Sequence, residues 1–210
     1  MSQSNLIQRY SASERSNHWL VAICFVLLAL SGLALFHPSM FWLTNLFGGG
    51  QWTRILHPFI GVLMFVGFIG MFFRFAKHNA LNQNDSAWLG QLGDVMAKRE
   101  DKLPPAGKYN AGQKLLFWVI VVTMLVLIVS GVAIWQPYFA PSFAIGTVRL
   151  AVLLHALAAL ILILGIMVHI YAAFWVKGSV RAMTRGTVTR NWARKHHRAW
   201  YDEVTQGRTK

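Results

Sequence analysis

The sequence predicts an all-α integral membrane protein, a bundle of four transmembrane helices with both termini in the cytoplasm. Three observations carry that reading. First, of 210 residues 55% are hydrophobic and only 13% charged, a balance that soluble domains do not show in unbroken runs. Second, four windows at about 18–36, 55–75, 115–135 and 148–175 are apolar for long enough to cross a hydrocarbon core. Third, the net charge of +13 is unevenly placed. Lys and Arg crowd the N-terminal arm (Arg9, Arg15), the middle loop (Lys77, Lys98, Arg99, Lys102, Lys108) and the tail 177–210. The connections near 37–54 and 136–149 hold only Arg54 and Arg149, which puts both termini and the middle loop inside. A charge laid out in this way reports topology, not nucleic-acid binding. Strand-type alternation is absent, which excludes a β-barrel.

Taken in order, the chain reads as one domain over 1–210. The polar segment 1–17 lies on the cytoplasmic surface, and a retained first span opens at His18-Trp19, the Trp fitting an interfacial anchor. It stops at His37-Pro38, and Gly48-Gly49-Gly50 gives the outer loop its flexible point. The second span enters at Arg54-Ile55-Leu56-His57-Pro58 and returns to Arg74 and Lys77. In the long inner loop 76–112 a short surface helix is expected around Trp88–Leu92, broken by Pro104-Pro105. The third span runs out to Trp135-Gln136-Pro137, and the fourth, longer than spanning requires, tilts or projects. The basic tail ends in a surface helix over 189–203, and no internal repeat is read. Cys24, the single cysteine, excludes a disulfide framework, a cysteine-held iron–sulfur cluster and covalent haem attachment.

Ionisable residues inside a membrane are costly and mark function. His155 and His169 are fourteen residues apart in the fourth span, about 21 Å of helical rise and only about 40° off one face. Because each span crosses once, depth follows from topology. His57 opens the second span at the outer level with His155, and His18 opens the first at the inner level with His169. Two imidazoles at one level from two helices are what a six-coordinate b-type haem needs, and filling both axial sites leaves electron transfer as its chemistry. The bundle is therefore expected to bind two b-type haems. Gly32, Gly61 and Gly165 fall where a flat macrocycle needs close backbone approach, and Arg54 could meet the outer haem's propionates. His37, His78, His196 and His197 have no such partner and read as surface residues.

A single membrane-end histidine is most often an anchor or a cap, and membrane glycines most often pack helices; four histidines meeting at two levels outweigh that reading. A proton-conducting transporter would want carboxylates in the spans, and all seven Asp and Glu lie outside them. A cofactor-free anchor would lack the strong visible band of a b-type haem.

The motifs RSNHW (15–19), GQWTRILHPFIG (50–61), RFAKHN (74–79), KYNAGQK (108–114) followed by LFW, WQPYF (135–139), LLHALAALIL (153–162) and HIYAAFWVKGSVRAM (169–183), with WARKHH and WY beyond, are spread from one end of the chain to the other. Together they resemble the cytochrome b556 (gamma) subunit of respiratory formate dehydrogenases. The tail departs from the family where HHRAWY lacks an expected proline. The resemblance implies a multi-pass subunit of the bacterial inner membrane, anchoring on its outer face an iron–sulfur (beta) subunit and a molybdenum or tungsten catalytic (alpha) subunit that oxidises formate. It leaves room for a higher oligomer of the complex. Electrons would pass from the outer to the inner haem and reduce a quinone, menaquinone or ubiquinone, on the cytoplasmic side. Asn110, Gly112 and Gln113 would form the quinone pocket with His169. From the residues alone, Asn110 reads equally as a helix cap. The competing assignment is the diheme cytochrome b anchor of a membrane-bound hydrogenase or another periplasmic oxidoreductase.

Overall fold

A computed structural model describes residues 5–97, 99 and 102–207. Lys98 and Lys210, named above for their charge, lie outside these. Four long helices are present, α1 (Ala12–Phe36), α2 (Gly50–Phe75), α5 (Ala111–Ile134) and α6 (Ile145–Trp175), each apolar enough to span. A helix satisfies its own backbone polar groups, which a chain in hydrocarbon must do. Their lateral faces show the same solvent: Ile23, Val66 and Val129 are 59%, 61% and 70% exposed. Apolar faces exposed along helices of this length suit a lipid environment.

Each helix starts a few residues earlier than the apolar run read from sequence. Ser11 and Glu14 form a reciprocal cap, with Ser11 N–H donating to Glu14 Oε2 (2.7 Å) and Glu14 N–H to Ser11 Oγ (3.2 Å). That moves the start of α1 six residues ahead of His18. At the other end the chain turns at His37 into a 3₁₀ helix, Pro38–Phe47, closed by left-handed Gly48 and Gly49. Two short helices, α3 (Gln83–Gly90) and α4 (Leu92–Met96), stand where one was expected in the middle loop.

The residues group into two compact units. The span unit comprises Ser16–Phe72 and Val119–Val168. Within it Asn17 Nδ2 donates to Gly67 O (2.7 Å). Gly67 and Gly70 allow this approach: a Cβ at Gly70 would stand 2.8 Å from Asn17 Oδ1. Small residues one turn apart are the usual device for close helix contact in membranes.

The terminal unit takes its described residues from Met1–Arg15, Phe73–Trp118 and His169–Lys210. The arm and the tail, each read from sequence as a surface segment, pair with each other, and the single tail helix expected over 189–203 is divided into two. Strand β1 (Leu6–Gln8) pairs antiparallel with β2 (Thr187–Thr189), Ile7 opposite Val188, both buried. Helix α7 (Ser179–Arg185) reaches β2 through Gly186, at φ 77°; α8 (Arg190–His196) and α9 (Arg198–Gln206) follow. The unit closes around Arg9, 5% exposed, whose guanidinium lies 4.8 Å from the Trp200 ring centre and 5.1 Å from that of Trp192. Such contacts stabilise a desolvated cation. Arg9 also donates to Lys108 O (2.5 Å) and meets His197 Nε2 at 3.3 Å.

His197 therefore corrects the expectation of a solvated His196-His197 pair. It is 2% exposed, and its Nδ1 donates to Gly107 O (2.8 Å). Burial, with the Arg9 cation second, pushes its pKa down from 6.5 to about 3.

Candidate haem site

His57, seven residues into α2, and His155 on α6 face each other in the span unit, ring centres 6.3 Å apart and planes at 65°. Each ring is held from outside by a serine of another helix. Ser31 Oγ on α1 lies 2.7 Å from His57 Nδ1, and Ser130 Oγ on α5 lies 3.0 Å from His155 Nδ1. The glycine after each serine makes room for the ring. A Cβ at Gly32 would meet His57 Cε1 at 3.4 Å, and one at Gly131 would meet His155 Cε1 at the same distance. Gly32, which the sequence reading set against a macrocycle, lies beside the His57 imidazole.

Ser31, Ser130 and Gly131 were not singled out from sequence, and a signal for them exists. Ser31–Pro38 reads SGLALFHP and Ser130–Pro137 reads SGVAIWQP, matching in residue or residue class at seven of eight places, about a hundred residues apart. The similarity is local, eight residues long and conservative in type more than identity. Its alanines, Ala34 and Ala133, are also buried.

The pair fits a haem. Two metal–imidazole bonds of about 2 Å, plus roughly 1 Å from each nitrogen to its ring centre, put the centres about 6 Å apart. Among the described residues no group of three or more His, Cys, Asp or Glu forms a metal cage. Two imidazoles alone do not complete a protein-only site, whereas a porphyrin supplies the remaining four ligands in a plane.

The sequence matches a family model described as prokaryotic cytochrome b561 over residues 9–186. It is 50% identical over 204 residues to the formate dehydrogenase cytochrome b556(fdo) subunit of Escherichia coli K12, covering 97% of this chain and 96% of that one. The nitrate-inducible cytochrome b556(Fdn) subunit of the same strain is 48% identical over 210 residues, 100% and 97% of the two chains. The Haemophilus influenzae formate dehydrogenase cytochrome b556 subunit is 42% identical over 203 residues, 97% and 85%. The chain belongs to this cytochrome b family. As a cytochrome b it is a membrane protein of electron transport built for b-type haem, which is the group the facing imidazoles suit.

The other expected residues of this cytochrome b are distributed as follows. His18 lies on α1 in the span unit, and His169 lies on α6 in the terminal unit. Asn110 and Gln113 form a reciprocal cap at the start of α5. Asn110 N–H donates to Gln113 Oε1 (3.0 Å), and Gln113 N–H donates to Asn110 Oδ1 (2.9 Å). Gly112 lies under Trp88, whose ring a Cβ would meet at 3.4 Å. Beside them Lys114 Nζ donates to Asp85 Oδ2 (2.8 Å), a buried ion pair that joins α3 to α5.

Proposed function

We propose that this chain is the membrane cytochrome b subunit of a formate dehydrogenase. It accepts electrons at the outer face from an iron–sulfur subunit, fed by a molybdenum or tungsten subunit that oxidises formate, and reduces a quinone at the cytoplasmic side. The observation that carries this reading is the facing His57–His155 pair, in a chain whose relatives are named as formate dehydrogenase subunits. Bound haem supplies reversible one-electron transfer. In this reading His57 and His155 hold the outer haem, and His18 and His169 hold the inner one.

The charge layout supports the orientation. Of the 20 Lys and Arg, only Arg54 and Arg149 belong to the span unit; the others fall in ranges of the unit that contains both termini. The positive-inside rule then assigns the terminal unit to the cytoplasm. Quinone reduction consumes two electrons and two protons, so a pocket on that side takes its protons from the cytoplasm. Asn110, Gly112 and Gln113, with His169, form the pocket we assign. Capping uses the amide oxygens of Asn110 and Gln113 and leaves their NH₂ groups as the donors for a quinone carbonyl.

The test is isolation of the native complex from solubilised membranes, identification of its chains, pyridine haemochrome analysis and a formate-to-quinone assay. Two b-type haems per copy of this chain, co-purifying iron–sulfur and molybdenum or tungsten subunits and formate-driven quinone reduction are expected. One haem or fewer, or a hydrogenase as the partner, would overturn the reading.

A further inference from the structure

We propose that Ser31 and Ser130 are positioning residues for the haem held by His57 and His155: they select the ring nitrogen that reaches the metal and hold the two imidazoles crossed. This rests on the reading that these histidines share one haem. Each serine hydroxyl carries a single proton, and each directs it to a backbone carbonyl of its own helix. Ser31 Oγ donates to Leu27 O (2.8 Å) and Ser130 Oγ to Val126 O (2.5 Å). What each oxygen then offers the neighbouring ring is a lone pair, at 2.7 Å from His57 Nδ1 and 3.0 Å from His155 Nδ1. Only a protonated Nδ1 satisfies that contact, so Nε2 of both rings keeps the lone pair a metal requires.

The same contacts fix rotation. A ring turning about its Cβ–Cγ bond would lose its serine. The two rings are locked by different helices, and they come to rest with planes 65° apart. In a low-spin ferric haem, parallel imidazoles load one iron dπ orbital and separate it from the other. Crossed imidazoles load both and leave them close in energy, which gives a strongly anisotropic paramagnetic resonance spectrum with one large-g feature. A serine oxygen is also a weaker acceptor than a carboxylate, so the ligand stays a neutral imidazole. Losing even that acceptor makes it a poorer donor and favours the ferrous state. A tenfold change in ferric-over-ferrous preference corresponds to 59 mV for one electron.

The experiment uses the holo-complex in detergent. Resonance spectra and redox titrations are recorded for the wild type, Ser31→Ala, Ser130→Ala and the matching Thr variants, with His57→Ala to identify this haem's component. The wild-type component missing in His57→Ala should be of the crossed, large-g kind. Each Ala variant should shift that component and raise its midpoint while the other haem is unchanged, and Thr should restore both. A wild-type component of the parallel, three-line kind would overturn the proposal without any serine variant. So would Ala variants with the wild-type signal and midpoint, or loss of the haem in the Ala and Thr variants alike, which marks a packing role. If His57→Ala removes no haem, the reading of the site fails and the proposal with it.

Discussion

His57 and His155 are held by residues without charge, and their surroundings tolerate little added volume. A methyl group at Gly32 would stand 3.4 Å from the His57 ring, in contact but without overlap. Gly32→Ala should therefore keep both haems, with helix propensity favouring it by about 1 kcal/mol. Gly32→Leu should displace the ring and remove one haem per chain by pyridine haemochrome. The contacts of Ser31 and Ser130 with these rings were not legible locally, since a membrane serine most often only bonds back to its own helix. His197 poses the opposite problem: in a run of basic residues it reads as solvated, and distant segments bury it against Arg9 and Gly107. Its folded pKa is depressed from 6.5 to about 3. Below pH 6.5 the unfolded chain binds a proton that the folded chain does not, so stability falls as pH drops from 6.5 toward 3. His197→Gln can retain both hydrogen bonds and should flatten that part of the profile, measured as melting temperature against pH in detergent.

At the scale of elements, the start of α5 carries two functions. Asn110 caps it and Asn110 is also a quinone residue in the proposed reading, so Asn110→Ala should do two things. It should cost about 1 kcal/mol of cap stability and slow quinone turnover, with both haems retained and reducible by the partner subunits. Full turnover would move the pocket elsewhere. The ion pair of Lys114 and Asp85 ties α3 to α5 beneath solvent-excluding neighbours. Lys114→Met leaves the Asp85 carboxylate buried without its cation and should cost about 3–5 kcal/mol, whereas Lys114→Met with Asp85→Leu should recover part of that, less the α3 cap in which Asp85 accepts from Asn82 N–H. Thermal unfolding of the three proteins distinguishes these outcomes. The sequence placed a short helix here from its apolar residues, but nothing in the spacing of 85 and 114 tells that they meet.

For the whole molecule, the depth assignments stand on the charge asymmetry, so topology is the measurement to make first. A reporter active only in the periplasm should be silent when fused after Lys210 and active when placed between the first and second spans. Ligand loss should then sort by depth: His57→Ala and His155→Ala should abolish one spectral component, His18→Ala and His169→Ala the other. Loss of the same component in His57→Ala and His169→Ala would break the pairing. The four spans, their approximate limits and the cytochrome b family were determined by sequence alone. Apolar length, helical periodicity and charge sidedness are properties of local chain composition, and the motifs are spread along nearly the whole chain. The tertiary structure decided what depends on residues distant in the chain. It brought Ser31 to His57 and Ser130 to His155, paired β1 with β2 across about 180 residues, and buried Arg9 and His197 in the terminal unit. The physical reason is that a hydrogen bond or a buried cation depends on whatever element packs against it, and no local pattern of residue types records that neighbour.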